Sequence, residues 1–244
     1  MNVGDNFYTN GVTSVHDALW QSSYEQIYSS SELKSIRWYS ILGNHDIRLN
    51  AQAQIDYMGH SDRWYMPKPF YDVRLVQLND ENEDEKNDEK NFGFENEKLS
   101  VQLVMTDTSP FVPGYYNHAL VNQTFLNSQH PSLTGQLDWM DQQLAKYRFR
   151  DSSTSQNKLQ NNGESSGEQT VVDWKIVAGH HAVYSAGTGH GDTPELVSQY
   201  VPLLDKHGVD VYFAGHDHSL QYLRERKAPE EGTGYKKTSY VVSG

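Results

Sequence analysis

The sequence predicts a single α/β domain, in which short apolar strands alternate with helices around one core. Three observations lead to this fold class. The 244 residues are 36% hydrophobic and 12% aromatic, which is enough for one large core. Runs of β-branched and aromatic residues of strand length recur along the chain, and stretches with helical spacing lie between them. Polar segments follow several of these runs, as they do at the carboxyl ends of strands in open α/β sheets.

The first half of the chain predicts one helix and three strands. Residues 12–29 carry apolar side chains at helical spacing, and residues 36–42 form a β-branched and aromatic strand that ends at Gly43. Further strands are predicted at residues 70–78 and 99–106. The pattern therefore begins with a helix and continues as sheet.

The second half continues the alternation. Residues 133–147 have helical spacing, and they are followed by a strand at 174–178, a helix at 193–207 and a strand at 209–214. Residues 240–244 resemble the beginning of another strand. Helices alternating with buried strands indicate layers of helix and sheet.

Two polar stretches are predicted to be surface insertions. Residues 80–98 contain nine acidic residues against three lysines, which accounts for half of the net charge of −12. Such a charge run is typical of a solvated loop rather than a binding site. Residues 151–170 are rich in Ser, Asn, Gln and Gly and are predicted to form a second insertion.

The composition excludes several classes of function. A net charge of −12 argues against nucleic acid as the partner, since phosphate backbones favour basic surfaces. The absence of cysteine excludes disulfides, thiolate metal sites and a cysteine nucleophile. No apolar run approaches the ~20 residues that span a bilayer, so no membrane span is predicted. Eleven histidines, in contrast, offer many imidazole groups for metal binding.

Four polar segments carry the candidate chemistry, and each follows an apolar strand or its remnant. They are Gly4-Asp5-Asn6-Phe7-Tyr8, Gly43-Asn44-His45-Asp46, Gly179-His180-His181 and Gly215-His216-Asp217-His218. Because strand ends converge on one crevice in an open α/β sheet, we expect the four segments to meet. Their oxygen and imidazole donors suit iron, manganese or zinc. The two-residue spacing of His216 and His218 fits two adjacent ions, so the sequence predicts a two-metal site.

In this order, the segments GDxxY, GNHD, GHH and GHDH resemble the motif set of the purple acid phosphatases of the tartrate-resistant, low-molecular-weight type. That family lies within the calcineurin-like metallophosphoesterases. Four flanking segments agree with it: Thr106-Asp107-Thr108, Asp138-Trp139, Trp174-Lys175-Ile176-Val177 and His190-Gly191-Asp192-Thr193. The resemblance implies an αββα four-layer sandwich and an acid phosphatase that hydrolyses monoesters of small phosphorylated substrates with a metal-activated hydroxide.

The resemblance also implies a role for each matching residue. Asp5 would bridge the two ions, and Tyr8 and His218 would complete the side that holds Fe(III). The second ion, a divalent zinc, manganese or iron, would be held by the remaining predicted ligands, which are Asn44, His180 and His216.

Two further histidines are implied as catalytic residues that face the substrate. His45 and His190 would donate a proton to the leaving group or orient the phosphoryl oxygens. His190 lies one residue further from His180 than in the family pattern. His181 is predicted to pack beside the site rather than to bind metal.

The family pattern begins upstream, with a strand that ends in Asp-x-Gly and supplies the remaining iron ligand. This chain starts three residues before Gly4 and stops within a predicted strand at Gly244. We therefore expect one catalytic domain over residues 1–244 that is incomplete at both ends and lacks its first strand. The resemblance further implies a secreted, vacuolar or lysosomal location.

Two alternative functions stay open at this point. A metallophosphodiesterase would use the same type of site on diesters. The chain as written could also be a non-catalytic metal-binding or interaction protein, and the number of tightly held ions would separate that case from an enzyme.

Overall fold

The computed structural model describes residues 1–77, 99–149, 171–224 and 238–244. The predicted acidic insertion at 80–98 and the predicted polar insertion at 151–170 lie outside the described residues.

The described residues form ten strands and seven short α-helices. The strands are β1 Trp38–Tyr39, β2 Trp64–Tyr65, β3 Tyr71–Val76, β4 Ser100–Met105, β5 Arg148–Phe149, β6 Val171–Val172, β7 Trp174–Ala178, β8 Val211–Ala214, β9 Leu220–Leu223 and β10 Ser239–Ser243. The α-helices are α1 Ser31–Lys34, α2 Ala51–Asp56, α3 Gln123–Ser128, α4 Pro131–Thr134, α5 Gln136–Ala145, α6 Pro194–Gln199 and α7 Val201–Lys206. A π-helical segment covers Trp20–Glu25, and 3₁₀ turns cover Tyr57–Gly59, Ser109–Phe111 and Pro113–Asn117.

A mixed six-stranded sheet is the centre of the described fold. Its strand order is β3-β4-β7-β8-β10-β9. The four inner strands, β4, β7, β8 and β10, run parallel, and the edge strands β3 and β9 pair antiparallel to them. Strands β1 and β2 form a separate parallel pair, as do β5 and β6. This confirms the predicted α/β fold class with a mixed central sheet.

Each face of the central sheet is covered by its own hydrophobic cluster. On β4, Leu103 and Met105 pack into the cluster formed by the N-terminal part of the chain, whereas Val104 packs into the cluster formed with α5, α6 and α7. On β7, Ala178 and Val177 divide between the two clusters in the same way. This alternation follows from the two-residue period of a strand and buries the sheet on both faces.

The predicted strand at 36–42 is shortened to β1, and the geometry of its partner explains why. In the parallel ladder Ser40 N donates to the carbonyl of Tyr65 at 3.1 Å, and the next bond would come from residue 67. Residue 67 is proline and has no N–H to donate. The hydroxyl of Tyr71 donates to the Ser40 carbonyl at 2.9 Å instead.

The predicted helix at 12–29 was wrong over its first half. Asp17 accepts hydrogen bonds from the backbone N–H groups of Thr13 at 2.8 Å and Leu19 at 3.0 Å. Such local side-chain bonds compete with helical backbone bonds, and only Trp20–Glu25 is helical, in the π form.

The predicted helix at 193–207 is divided into α6 and α7 at Tyr200. Pro202 lacks the N–H of a continuous helix, and in such a helix its ring would clash with the carbonyl of residue 198. No helix within the described ranges combines the length and apolar character needed to cross a membrane.

Candidate metal centre

The carboxyl ends of the parallel strands place the histidine motifs at one edge of the central sheet. His180 follows β7 after one glycine, His216 follows β8 after one glycine, and His218 comes two residues after His216. The backbone N–H of Gly215 donates to the carbonyl of His180 at 2.9 Å, which holds the two loops side by side. The convergence expected from the sequence is therefore present for these motifs.

A buried carboxylate joins the two N-terminal motifs. Asp46 Oδ2 accepts hydrogen bonds from the N–H groups of Asn6 at 3.0 Å and Gly43 at 2.8 Å. Its Oδ1 accepts from the N–H of Phe7 at 3.2 Å and from Nε2 of Gln54 at 2.9 Å. Asp46 is completely buried, so these four donors fix the loop that carries Asp5 against the loop that carries Asn44 and His45.

Gly43 permits the closest approach between these two loops. A Cβ atom at this position would lie 2.2 Å from Asp5 N and 2.3 Å from Asp5 Oδ1. No other residue fits this space without moving the backbone. The glycine of the GNHD motif is therefore needed for the position of the Asp5 carboxylate.

One group of candidate ligand atoms surrounds Asp5 Oδ1. His180 Nε2 lies 3.4 Å from Asp5 Oδ1 and 3.1 Å from Asn44 Oδ1. His216 Nδ1 lies 3.0 Å from Asn44 Oδ1 and 3.2 Å from His180 Nε2. Donor atoms that share one ion at ~2.1 Å lie ~3 Å from one another, so these four side chains fit one cation.

A second group surrounds Asp5 Oδ2. Tyr8 Oη lies 3.0 Å from Asp5 Oδ2 and 3.1 Å from His218 Nε2. Tyr8 and His218 are both exposed, so this group faces solvent. The six predicted ligands are thus brought together in two sets that share the two oxygens of Asp5. This arrangement and the mixed oxygen and nitrogen donors fit a pair of adjacent cations.

Two of these residues have a backbone conformation that side chains other than glycine rarely adopt. The φ angle is +52° at Asp5 and +64° at His216. Left-handed conformations at such residues cost about 1–3 kcal/mol and persist where the surrounding structure fixes them, often at functional sites. The strain at both positions supports a functional role for their side chains.

The pKa shifts follow from this crowding. Burial alone would raise the pKa of Asp5, but the hydrogen bond to His180 and its positive charge hold that pKa below its ordinary value. Burial lowers the pKa of His216 to about 3, assisted by the neighbouring His180 and His190. Burial and the Asp5 carboxylate raise the pKa of Tyr8. An anionic Asp5 and a neutral His216 are the forms that bind metal, and an ionised Tyr8 needs a cation next to it.

His181 lies beside these ligands and is already engaged. The ring nitrogens of His180, His181 and His216 form a group within 4.8 Å. However, His181 Nδ1 lies 2.8 Å from the Thr108 hydroxyl, and its Nε2 lies 2.8 Å from the Tyr115 hydroxyl. With both nitrogens bonded, His181 supports the site by packing, as the sequence predicts.

The two candidate catalytic histidines lie at the rim of the site. His45 Nε2 is 4.0 Å from Asp5 Oδ2, and its Nδ1 donates to the Thr9 carbonyl at 2.5 Å. The His190 ring lies on that of His216, with centroids 3.9 Å apart. The extra residue between His180 and His190 therefore does not remove His190 from the site.

Sequence reasoning missed Arg48. Its Nη2 lies 3.4 Å from His45 Nε2, and its Nη1 donates to the Thr9 carbonyl at 3.0 Å and to Asn10 Oδ1 at 3.4 Å. The sequence alone could have indicated this residue, since a basic residue three positions after His45 lies on the same side of a turn. Arg48 is a cation next to a candidate catalytic group, and it ties the Asp5 loop to the His45 loop.

Replacing Asp46 with alanine is expected to lower the free energy of unfolding by about 3–4 kcal/mol, because buried N–H donors lose their acceptor. Urea denaturation of the metal-free protein measures this change. Asp56→Ala is the control, because Asp56 is exposed and bonds only to Gln52 among the described side chains. A loss no larger than that of the control would contradict the bracing role of Asp46.

From the burial of Asp107 we expect the free energy of unfolding to depend on pH. Asp107 follows β4 fully buried, and burial raises its pKa from 3.8 to about 7. Among the described residues its Oδ2 has no hydrogen-bond partner. Because the folded state favours the protonated carboxyl, the stability contribution is complete below about pH 4 and is lost as the pH rises through about 7.

The Asp107→Asn variant is neutral at every pH and should escape this loss. We expect it to match the wild type near pH 3.5 and to be more stable at pH 7.5, by no more than about 4 kcal/mol. Chemical denaturation of both proteins across this range, with a chelator present, measures the difference. A difference that does not change with pH would show that folding does not raise the pKa of Asp107.

The comparisons with known proteins point to one family. The family described as calcineurin-like phosphoesterase matches residues 1–220. The chain is 34% identical over 244 residues to tartrate-resistant acid phosphatase type 5 of Oryctolagus cuniculus. The aligned region covers 100% of this chain and 59% of the relative. The chain is also 33% identical over 233 residues to purple acid phosphatase 17 of Arabidopsis thaliana, covering 94% of this chain and 55% of the relative. The resemblance stated from the motifs is thereby confirmed.

The chain spans between half and three fifths of the length of these curated relatives. Among solved structures, the one titled "GAP50 the anchor in the inner membrane complex of Plasmodium" matches with a TM-score of 0.64 and 20% identity. It covers 99% of this chain and 59% of that chain, and at this identity it supports the fold alone. Because the family match extends over residues 1–220 and includes all four motifs, the chain belongs to the calcineurin-like phosphoesterase family.

Proposed function

We propose that this chain is an acid phosphatase, a phosphoric monoester hydrolase that acts at a binuclear metal centre. The observation that carries the proposal is the division of six donor side chains into two sets that share Asp5. A pair of ions there would supply positive charge for a bound phosphoryl group and a water of lowered pKa. The curated relatives named as acid phosphatases support the same activity.

The donor chemistry supports a different type of ion for each of the two sets. The phenol of Tyr8, with His218, suits a hard trivalent ion such as Fe(III) on the Oδ2 side of Asp5. The second set, which is Asn44, His180 and His216, suits a divalent zinc, manganese or iron. Nδ1 of His180 lies 2.8 Å from the Val3 carbonyl and donates to it, so Nε2 keeps its lone pair for the ion.

The remaining side chains would act on the substrate. Because His45 Nδ1 donates to the Thr9 carbonyl, its Nε2 is the atom that can hold or transfer a proton at the leaving group. Arg48 lies beside that nitrogen, where its charge favours a phosphate anion and orients the imidazole. His190, exposed above His216, would contact the phosphoryl oxygens or the leaving group.

A small phosphorylated substrate is compatible with the charge of the chain. A small phosphorylated molecule needs no extended basic surface when two cations and Arg48 meet its phosphate, so a net charge of −12 is compatible with it. A secreted, vacuolar or lysosomal location is part of the same proposal.

The test combines metal analysis with two substrates. Elemental analysis of the purified protein should find iron and a second metal, and phosphate should be released from an aryl monoester at acidic pH faster than aryl alcohol is released from a diester. Faster cleavage of the diester would favour the phosphodiesterase, and a protein without ions would favour a non-catalytic role.

A visible absorption band from Tyr8 on Fe(III) gives a second readout. Tyr8→Phe should remove the band, whereas the control Tyr222→Phe, at an exposed tyrosine on β9, should keep it. A band that survives Tyr8→Phe would remove Tyr8 from the ligand set.

A further inference from the structure

The loop of residues 185–192 lies between β7 and α6 and carries His190 to the site. The loop contains three glycines, at positions 187, 189 and 191, and such residues give a loop little stiffness of its own. The His190 ring nevertheless lies 3.9 Å from that of His216. Interactions outside the loop must therefore hold it in place.

The amide of Gln221 makes bonds to two consecutive loop residues. Gln221 belongs to the edge strand β9, and its Oε1 accepts a hydrogen bond from the backbone N–H of Ala186 at 2.7 Å. Its Nε2 donates to the hydroxyls of Ser185 at 2.9 Å and Ser219 at 2.7 Å. Both ends of the amide are thus used, and the orientation of the group is fixed by its partners.

The hydroxyl of Ser185 extends this network to a buried carboxylate. Ser185 Oγ donates to Asp217 Oδ2 and accepts from the N–H of Gly187 at 3.0 Å. Asp217 is only 4% exposed, so this bond lies in a low-dielectric environment where it is strong. The N–H of Ser185 also donates to Asp192 Oδ1 at 2.7 Å and closes the loop on itself.

The loop packs directly on the Asp217 carboxylate. A Cβ atom at Gly187 would lie 2.0 Å from Asp217 Oδ2, so the loop approaches as closely as its backbone allows. Gln221 bonds to Ser185 and Ala186, which come just before Gly187 in the chain. These hydrogen bonds therefore fix the backbone just before the segment that leads to His190.

We propose that Gln221 is a positioning residue of the site, which holds the loop at 185–192 on Asp217 and thereby keeps His190 over His216. No hydrogen bond among the described residues joins Gln221 to His190, so Gln221 acts on it through Ser185, Ala186 and Asp217. The catalytic consequence rests on the proposed phosphatase function. The structural consequence, an ordered loop, does not.

The kinetic test is a double-mutant cycle with Gln221→Ala and His190→Ala. The Gln221→Ala variant should keep its metal content and its KM within about two-fold, and its kcat should fall about ten-fold, because misplacing a catalytic group by ~1 Å costs up to 10² in rate. In the His190→Ala background the same substitution should change kcat less than about two-fold. An equal fall in both backgrounds would overturn the proposal.

Two further variants keep the test decisive. Leu220→Ala changes the neighbouring β9 side chain, which is 84% exposed, and should leave kcat unchanged. Gln221→Glu keeps the acceptor for Ala186 but loses the donor, and it places a carboxylate where Nε2 lies 3.4 Å from Asp217 Oδ2. It should therefore also lower kcat, and wild-type kcat in this variant would count against the network if Gln221→Ala fails to fold.

Hydrogen exchange separates this proposal from the proposed function. In the metal-free protein the amide of Ala186 should exchange at least about ten-fold faster in Gln221→Ala than in the wild type, while amides in β7 should not change. If the wild type releases no phosphate, the phosphatase proposal fails, but the exchange rate at Ala186 still tests whether Gln221 orders the loop. Unchanged exchange at Ala186 would overturn the role of Gln221.

Discussion

Replacing Asp5 with asparagine is expected to remove both metal ions and, with them, phosphate release. Asp5 is the one described side chain whose two oxygens lie in both donor sets, 3.4 Å from His180 Nε2 and 3.0 Å from Tyr8 Oη. Asparagine has the same shape as aspartate, but it has one neutral oxygen in place of two oxygens that share a negative charge. Neither ion would then have a charged oxygen from this residue as a ligand. Loss of an outer-shell partner alone costs ~10–100-fold in metal affinity, and we expect a larger loss here.

Elemental analysis and an assay of monoester hydrolysis measure this effect. Asp56→Asn is the matched control, since Asp56 is exposed and its substitution should leave two ions and full activity. Circular dichroism should show that Asp5→Asn is folded. A folded Asp5→Asn protein that still holds two ions would contradict the shared carboxylate.

Replacing His45 with alanine is expected to lower kcat by ~10² or more while the ions remain bound. His45 lies at the rim, with its Nε2 4.0 Å from Asp5 Oδ2, and it belongs to neither donor set. The substitution therefore removes a proton-transfer group without removing a ligand. The contrast with Asp5→Asn separates residues that hold metal from residues that act on the substrate.

Steady-state kinetics and elemental analysis distinguish the two cases for His45. His60→Ala serves as the control, because His60 is exposed and packs against His16 and Tyr57 instead. Loss of the ions in His45→Ala would move His45 into the ligand set. A kcat within about three-fold of the wild type would remove it from the reaction, since general acid or base groups contribute ~10² or more.

The sequence could indicate that His180 and His216 lie together because each follows a strand end after a single glycine. His180 and His216 each come two residues after their strands, β7 and β8, so the register of two parallel strands is enough to bring them together. The strands β4 and β7 were likewise predicted closely, since their apolar runs are bounded by polar residues.

Other features depended on partners far along the chain. Asp46 bonds to Asn6 forty residues away, and Gln221 bonds to Ser185 thirty-six residues away, so no local pattern shows these partners. The helix expected at 12–29 failed for a local reason, because Asp17 bonds to nearby backbone N–H groups. The break at Pro202 was available from the sequence, since proline interrupts the backbone bonds of a helix.

The two hydrophobic clusters give the metal centre a mechanical consequence. Asp5 and Asn44 belong to segments packed on one face of the central sheet, whereas His180 and His216 extend from the sheet itself. Ions held by all four side chains would cross-link these layers, and an ion present at 100 times its dissociation constant would add about 2.7 kcal/mol to the folded state. How firmly the layers adhere to each other then becomes a function of the free metal concentration around the protein.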